Sequence, residues 1–112
     1  LAVVEALRIG EGFGLDPERM IEVLNASTGR NNTTENKARQ FMLSGTYASG
    51  FAMRLLVKDM TSALQMAEVE RIAAAQSEIC LASWRSALEA LDQDADHTEI
   101  HRWLSAEAGR QQ

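Results

Sequence analysis

Lys58 and Asp59 stand side by side in the most hydrophobic stretch of the chain, after Leu55-Leu56-Val57 and before Met60. A helix that buries several faces rarely keeps two charges there unless they find partners. Two readings are open. One is a solvated polar stripe, which composition favours; the other is a lysine at the lip of a cleft, holding a cofactor phosphate or carboxamide. His97 and His101 lie four residues apart with Glu99 between them, a spacing that puts two imidazoles on one helical face, as zinc sites require. The zinc-protease pattern needs Glu directly after the first histidine, yet Thr98 stands there, and no third ligand is evident. The pair therefore reads as a solvated helix start with Asp96 as cap, and no metal site is expected. Cys80, between Ile79 and Leu81, has no histidine near it in sequence and reads as a small buried or half-buried thiol. The five methionines, Met20, Met42, Met53, Met60 and Met66, sit among apolar helical positions and read as core filler.

The elements that must position these residues are bounded by length and composition. A chain of 112 residues with 46% hydrophobic content allows one domain with a real core. Eleven Lys and Arg against 16 Asp and Glu give a net charge of −5, which weighs against nucleic acid or an anionic membrane as main partner. The single cysteine cannot form an internal disulfide and fits a reducing compartment. No apolar run is long enough to span a bilayer, and Leu1 to Leu7 lacks the features of a signal peptide. The chain is expected to be soluble and cytoplasmic, so the Asn-x-Ser/Thr matches at Asn25, Asn31 and Asn32 read as chance.

Apolar residues recur at helical spacing and no segment alternates with period two. Val3, Val4 and Leu7 mark a first helix ending near Gly10 to Gly14. Its start has no capping residue, which reads as a helix cut from something longer. Asp16-Pro17-Glu18 gives a cap, a proline at the first helical position and a first-turn acid for a second helix to about Asn25. Asn32 with Glu35 resembles a capping box for a third helix reaching Leu43, and Ser44 to Gly50 is a connector. A long helix then carries Leu56, Met60, Ala63, Leu64 and Ala67. Ala73-Ala-Ala keeps helix propensity high beyond it, so composition does not fix a boundary; a break is placed between Glu70 and Ala74. Leu81, Trp84, Leu88 and Leu91 form another stripe, and Asp96 with Glu99 caps a last helix bearing Ile100, Trp103 and Leu104. The prediction is an all-α, compact bundle of five to six helices over 1–106, with a frayed tail over 107–112. The expected core is Val23, Leu24, Leu56, Met60, Ala63, Leu64, Leu81, Trp84 and Leu88.

Three ordered segments resemble one family. Gly50-Phe51-Ala-Met-Arg-Leu-Leu-Val-Lys58-Asp59-Met with Ala63-Leu64 is similar to the Gly-Phe…Lys-Asp-Leu…Ala-Leu helix of the β-hydroxyacid dehydrogenases. Upstream, Glu5-Ala-Leu, Gly14-Leu-Asp-Pro and Val23-Leu-Asn-Ala-Ser-Thr-Gly29-Arg resemble the same family, as does Asp96-His-Thr-Glu-Ile downstream. The likeness runs from about Glu5 to Leu104. It implies the all-α C-terminal domain of a two-domain enzyme whose Rossmann domain binds NAD or NADP and whose helical domain closes the active-site cleft. By the resemblance, Lys58 matches a lysine that contacts the cofactor, Asp59 the acid beside it, and Phe51 an aromatic near the nicotinamide. Ser27-Thr-Gly-Arg30 matches a segment facing the cleft. The catalytic lysine of the family would lie about three helical turns before Leu1, so no catalytic residue is assigned here. Two departures stand out: Arg71-Ile-Ala-Ala-Ala replaces a glycine- and proline-bearing helix break, and His101 replaces a common aromatic.

The resemblance implies a small hydroxy-acid substrate for the intact enzyme and a homodimer or higher homo-oligomer. The rival is a free-standing helical interaction or dimerisation module. A helix-turn-helix DNA binder is disfavoured by the net charge of −5 and the lack of a basic recognition helix.

Overall fold

The computed structural model describes residues 1–110. They form α1 (Ala2–Gly12), α2 (Pro17–Ala26), a π-helix, π1 (Thr33–Leu43), α3 (Met53–Val69), α4 (Ala75–Ala90), a 3-10 turn (His97–Glu99) and α5 (Ile100–Arg110). The described residues contain no strand, only one isolated antiparallel bridge between Ala52 and Asp96. The fold is all α. α5 runs past Glu107, where the sequence predicts fraying, and the last two residues of that predicted tail lie outside the described residues.

The contacts group into two units, Leu1–Ser49 with the segment from Thr98, and Gly50–His97. In the first unit, α1 ends in a left-handed cap. The Leu15 N–H donates to the Gly10 carbonyl and the Gly14 N–H to that of Glu11, with Gly14 at φ +82°. That pairing serves two carbonyls the helix end would leave open. Asp16 caps α2 as expected, its carboxylate accepting the Glu18 N–H, with Pro17 in the first turn. The cap of π1 differs from the expected Asn32–Glu35 box. Asn31, one residue earlier, accepts the N–H groups of Thr33 and Thr34 through Oδ1, and Glu35 pairs instead with Arg30 at 2.6 Å. π1 winds with the wider i→i+5 bonding and buries Thr34, Ala38 and Met42. The core of this unit is completed by Val4, Leu7, Ile21, Thr98 and Ile100.

The second unit is built on the packing of α3 against α4. Its buried residues are Met53, Leu81, Trp84, Ala87 and Ala95. The break between the two helices falls where it was placed. Arg71 adopts a left-handed φ of +56°, its N–H donating to the Glu68 carbonyl while the Ile72 N–H donates to that of Ala67. This is the same closing pattern that ends α1, with arginine in the position glycine occupies there.

Two members of the expected core are corrected. Val23 is 67% exposed and Ala63 is also on the surface, whereas Leu81 and Trp84 are buried and the other five are half-buried. α2 turns Ile21 inward, and Val23, two residues on, lies about 200° away around a helix of 100° per residue. Among Met20, Ile21, Val23 and Leu24, tertiary packing chooses which face is core.

Candidate functional site

Phe51 precedes α3 by two residues and Lys58 lies in its second turn, so one short helical start presents both. The Lys58 side chain is 71% exposed, and its Nζ stands 3.7 Å from Asp59 Oδ1, itself 63% exposed. A pair so exposed is worth little to stability. The solvated stripe is therefore the local description of Lys58, and the ammonium is available to an external group. Arg54, one turn before Lys58, is a second cation on α3 that the sequence reading passed over; it lies 3.5 Å from Asp94. Its signal was the four-residue spacing to Lys58, which places both on neighbouring positions of one helix face.

Phe51 is held from behind. The N–H groups of Gly50 and Phe51 donate to Asp96 Oδ2 at 2.9 and 3.3 Å. The Phe51 carbonyl accepts the His97 N–H at 2.9 Å, and the Met53 N–H donates to the Ala95 carbonyl at 2.8 Å. The Phe51 and His97 rings meet edge to face, centroids 5.5 Å apart. The family-like segments Gly50-Phe51 and Asp96-His97, far apart in sequence, are thus joined in one place.

The remaining candidates lie elsewhere. The loop over Ser27-Thr-Gly-Arg30 is fixed by Asn25 Nδ2 donating to the Thr34 carbonyl and Asn31 Nδ2 to that of Gly29. Asn25 Oδ1 is buried there with no hydrogen-bond partner. His101 packs beside Tyr47 in the first unit. Among the described residues no group of three His, Cys, Asp or Glu side chains is placed to hold a metal ion. Cys80 is free and half-buried. A cleft of about 740 Å³ opens where α3 and α4 meet their turn, lined by Thr61, Gln65, Arg71, Ile72, Leu81 and Arg85 among others, and it includes none of Phe51, Lys58 and Asp59. No helix among the described residues is long and apolar enough to cross a membrane.

A nicotinamide dinucleotide is a planar ring joined to a chain of phosphates. An exposed aromatic followed along one helix by two cations suits both parts. Residues 1–104 match the family described as NAD-binding of NADP-dependent 3-hydroxyisobutyrate dehydrogenase. The 2-(hydroxymethyl)glutarate dehydrogenase of Eubacterium barkeri is 44% identical over 64 residues, covering 57% of this chain and 21% of that protein. The matched stretch thus spans about a fifth of the length of that curated relative. The chain belongs to the β-hydroxyacid dehydrogenase family, as its helical C-terminal domain, and the cofactor of that family match is NAD or NADP.

Proposed function

We propose that this chain is the domain that closes the active-site cleft of a cytoplasmic NAD(P)-dependent dehydrogenase. The observation that carries the reading is the exposure of Phe51, just before α3, and of Lys58 and Asp59 in its second turn, within a family match that covers residues 1–104. The substrate is a small, carboxylate-bearing 3-hydroxy acid, oxidised to its semialdehyde or formed from it. The relative's named substrate, 2-(hydroxymethyl)glutarate, is itself a 2-substituted 3-hydroxy acid.

The bound dinucleotide supplies hydride transfer, and the protein supplies orientation, electrostatics and exclusion of water. Lys58 Nζ donates to phosphate or carboxamide oxygens, with Asp59 steadying the ammonium. The Phe51 ring offers an apolar wall against the nicotinamide. None of these residues is assigned the proton transfer. The domain also pairs with a second copy: Ile9 and Phe13 leave large apolar side chains exposed on the first unit, as surfaces awaiting a partner do.

The test is Lys58→Ala in the full-length enzyme. Loss of a charged hydrogen bond in a cleft should raise the cofactor's Kd and KM roughly ten- to a hundredfold. The melting temperature should stay within a degree or so of wild type, because an exposed ion pair adds little stability. Normal cofactor binding with a clearly lowered melting temperature would make Lys58 a structural residue and overturn the reading.

A further inference from the structure

We infer that Asp96 and His97 are positioning residues for the cofactor face, acting through Phe51; the inference rests on the reading of Phe51 and Lys58 given above. The Asp96 carboxylate takes two successive N–H groups, those of Gly50 and Phe51, on one oxygen. Gly50 sits at φ +85°, the left-handed turn that aims consecutive amides at one point and makes a small anion-binding nest. Here the anion is the protein's own carboxylate. Bonds of this kind are charge-assisted and stronger than neutral ones.

The contrast in exposure shows what the arrangement does. The side chains of Asp96 and His97 are 11% and 12% exposed, while Phe51 is 36% exposed and Gly50 is on the surface. Water would serve the N–H groups of an exposed turn equally well, so satisfying them does not require a sequestered carboxylate. What the carboxylate adds is a fixed direction for the Phe51 Cα–Cβ bond. His97 adds a second restraint: its N–H donates to the Phe51 carbonyl, its Nδ1 lies 3.2 Å from that same oxygen, and its ring meets the Phe51 ring at 78°. Backbone direction and ring orientation of one surface aromatic are both set by an adjacent pair of residues. A ring held in place before its ligand arrives does not lose that freedom on binding, and affinity rises accordingly.

A double-mutant cycle on the full-length protein tests this, read as equilibrium binding of NADH or NADPH by nucleotide fluorescence rather than as turnover. Asp96→Asn should weaken binding roughly threefold to thirtyfold, inside the span of about twofold to 150-fold that coupling between contacting residues produces. It should cost nothing further in a Phe51→Ala background. In the nucleotide-free protein, Asp96→Asn should also speed hydrogen exchange at the Gly50 and Phe51 amides while the interior of α3 keeps its protection. Wild-type affinity for Asp96→Asn, or a loss that persists undiminished in Phe51→Ala, overturns the inference and leaves the reading of Lys58 intact. Wild-type affinity for both Phe51→Ala and Lys58→Ala removes that reading, and the inference with it. If Asp96→Asn does not fold, His97→Leu decides. It keeps both carboxylate bonds, removes the ring from Phe51, and should weaken binding about twofold or more, again only when Phe51 is present; an unchanged affinity overturns the inference.

Discussion

Tyr47 Oη lies 3.2 Å from His101 Nδ1, and this contact ties the connector before α3 to α5 in the first unit. The rings stand 6.3 Å apart, and the Arg102 guanidinium lies 5.9 Å from the Tyr47 ring centre, within cation–π reach. On its other side the imidazole carries a cost, since Nε2 is buried with no hydrogen-bond partner.

That cost has a pH signature. Burial pushes the His101 imidazole below its ordinary value of 6.5; Glu11 partly offsets this and Arg8 reinforces it. The native state thus favours neutral His101, and the unfolded chain takes up the proton first. The stability from this group is fully present above pH 6.5, falls as pH drops through 6.5 toward the depressed native value, and levels off below it. His101→Phe removes both the titration and the orphaned nitrogen, so its denaturation midpoint should change less than wild type's over that window. Parallel pH dependence in the two proteins would show that other groups carry the effect.

Core truncations should separate the residues packing selected from those it did not. Leu7 is fully buried, so Leu7→Ala should destabilise by about 2–5 kcal/mol in denaturant titrations. Val23→Ala, at an exposed site, should stay within about 0.5 kcal/mol of wild type. Comparable costs would mean that Val23 is covered in solution.

These two residues also show how far the sequence is legible. Helix existence and the Asp16 cap follow from interactions within a few residues, and such signals survive folding; no local signal fixes the break at Arg71, a non-glycine residue at positive φ. The inward choice of Ile21 over Val23 and the burial of Thr34, Ala95 and Thr98 depend on partners distant in the chain, whereas the capping by Asn31 in place of Asn32 is local, with its partners two and three residues on. The candidate site divides the same way. Lys58 and Phe51 stand in one local motif, whereas the carboxylate behind Phe51 reads from sequence only as a helix cap, because its partners Gly50 and Phe51 lie 46 and 45 positions upstream.

Arg71 offers a gain of stability. It holds a left-handed φ of +56° at the end of α3, where a non-glycine residue pays a steric cost of about 1–2 kcal/mol. Arg71→Gly relieves that strain but loosens the unfolded chain, for a net gain of roughly 0.5–1 kcal/mol. A rise in denaturation midpoint checks it; a fall would mean that the Arg71 side chain, at the edge of the α3–α4 cleft, makes a contact outweighing the strain.

Self-association should be visible by sedimentation. The full-length protein should run as a two-fold dimer or a higher assembly at micromolar concentration. Replacing Phe13, 85% exposed on the first unit, with Asp should shift it toward smaller species. A monomer at high concentration would remove pairing from the proposal.

The joining of Gly50 to Asp96 has a consequence for the order of folding. The two residues are 46 positions apart, and closing so long a loop carries an entropic cost that a helix, built from neighbours, does not meet. The turns of α3 and α4 can form while the chain is still short, but the direction of Phe51 cannot be set until residues 95–97 have been made. On the ribosome, the helix bearing Lys58 therefore exists before the surface it belongs to, and a nascent chain stopped short of Ala95 would hold the lysine without the aim of the aromatic beside it.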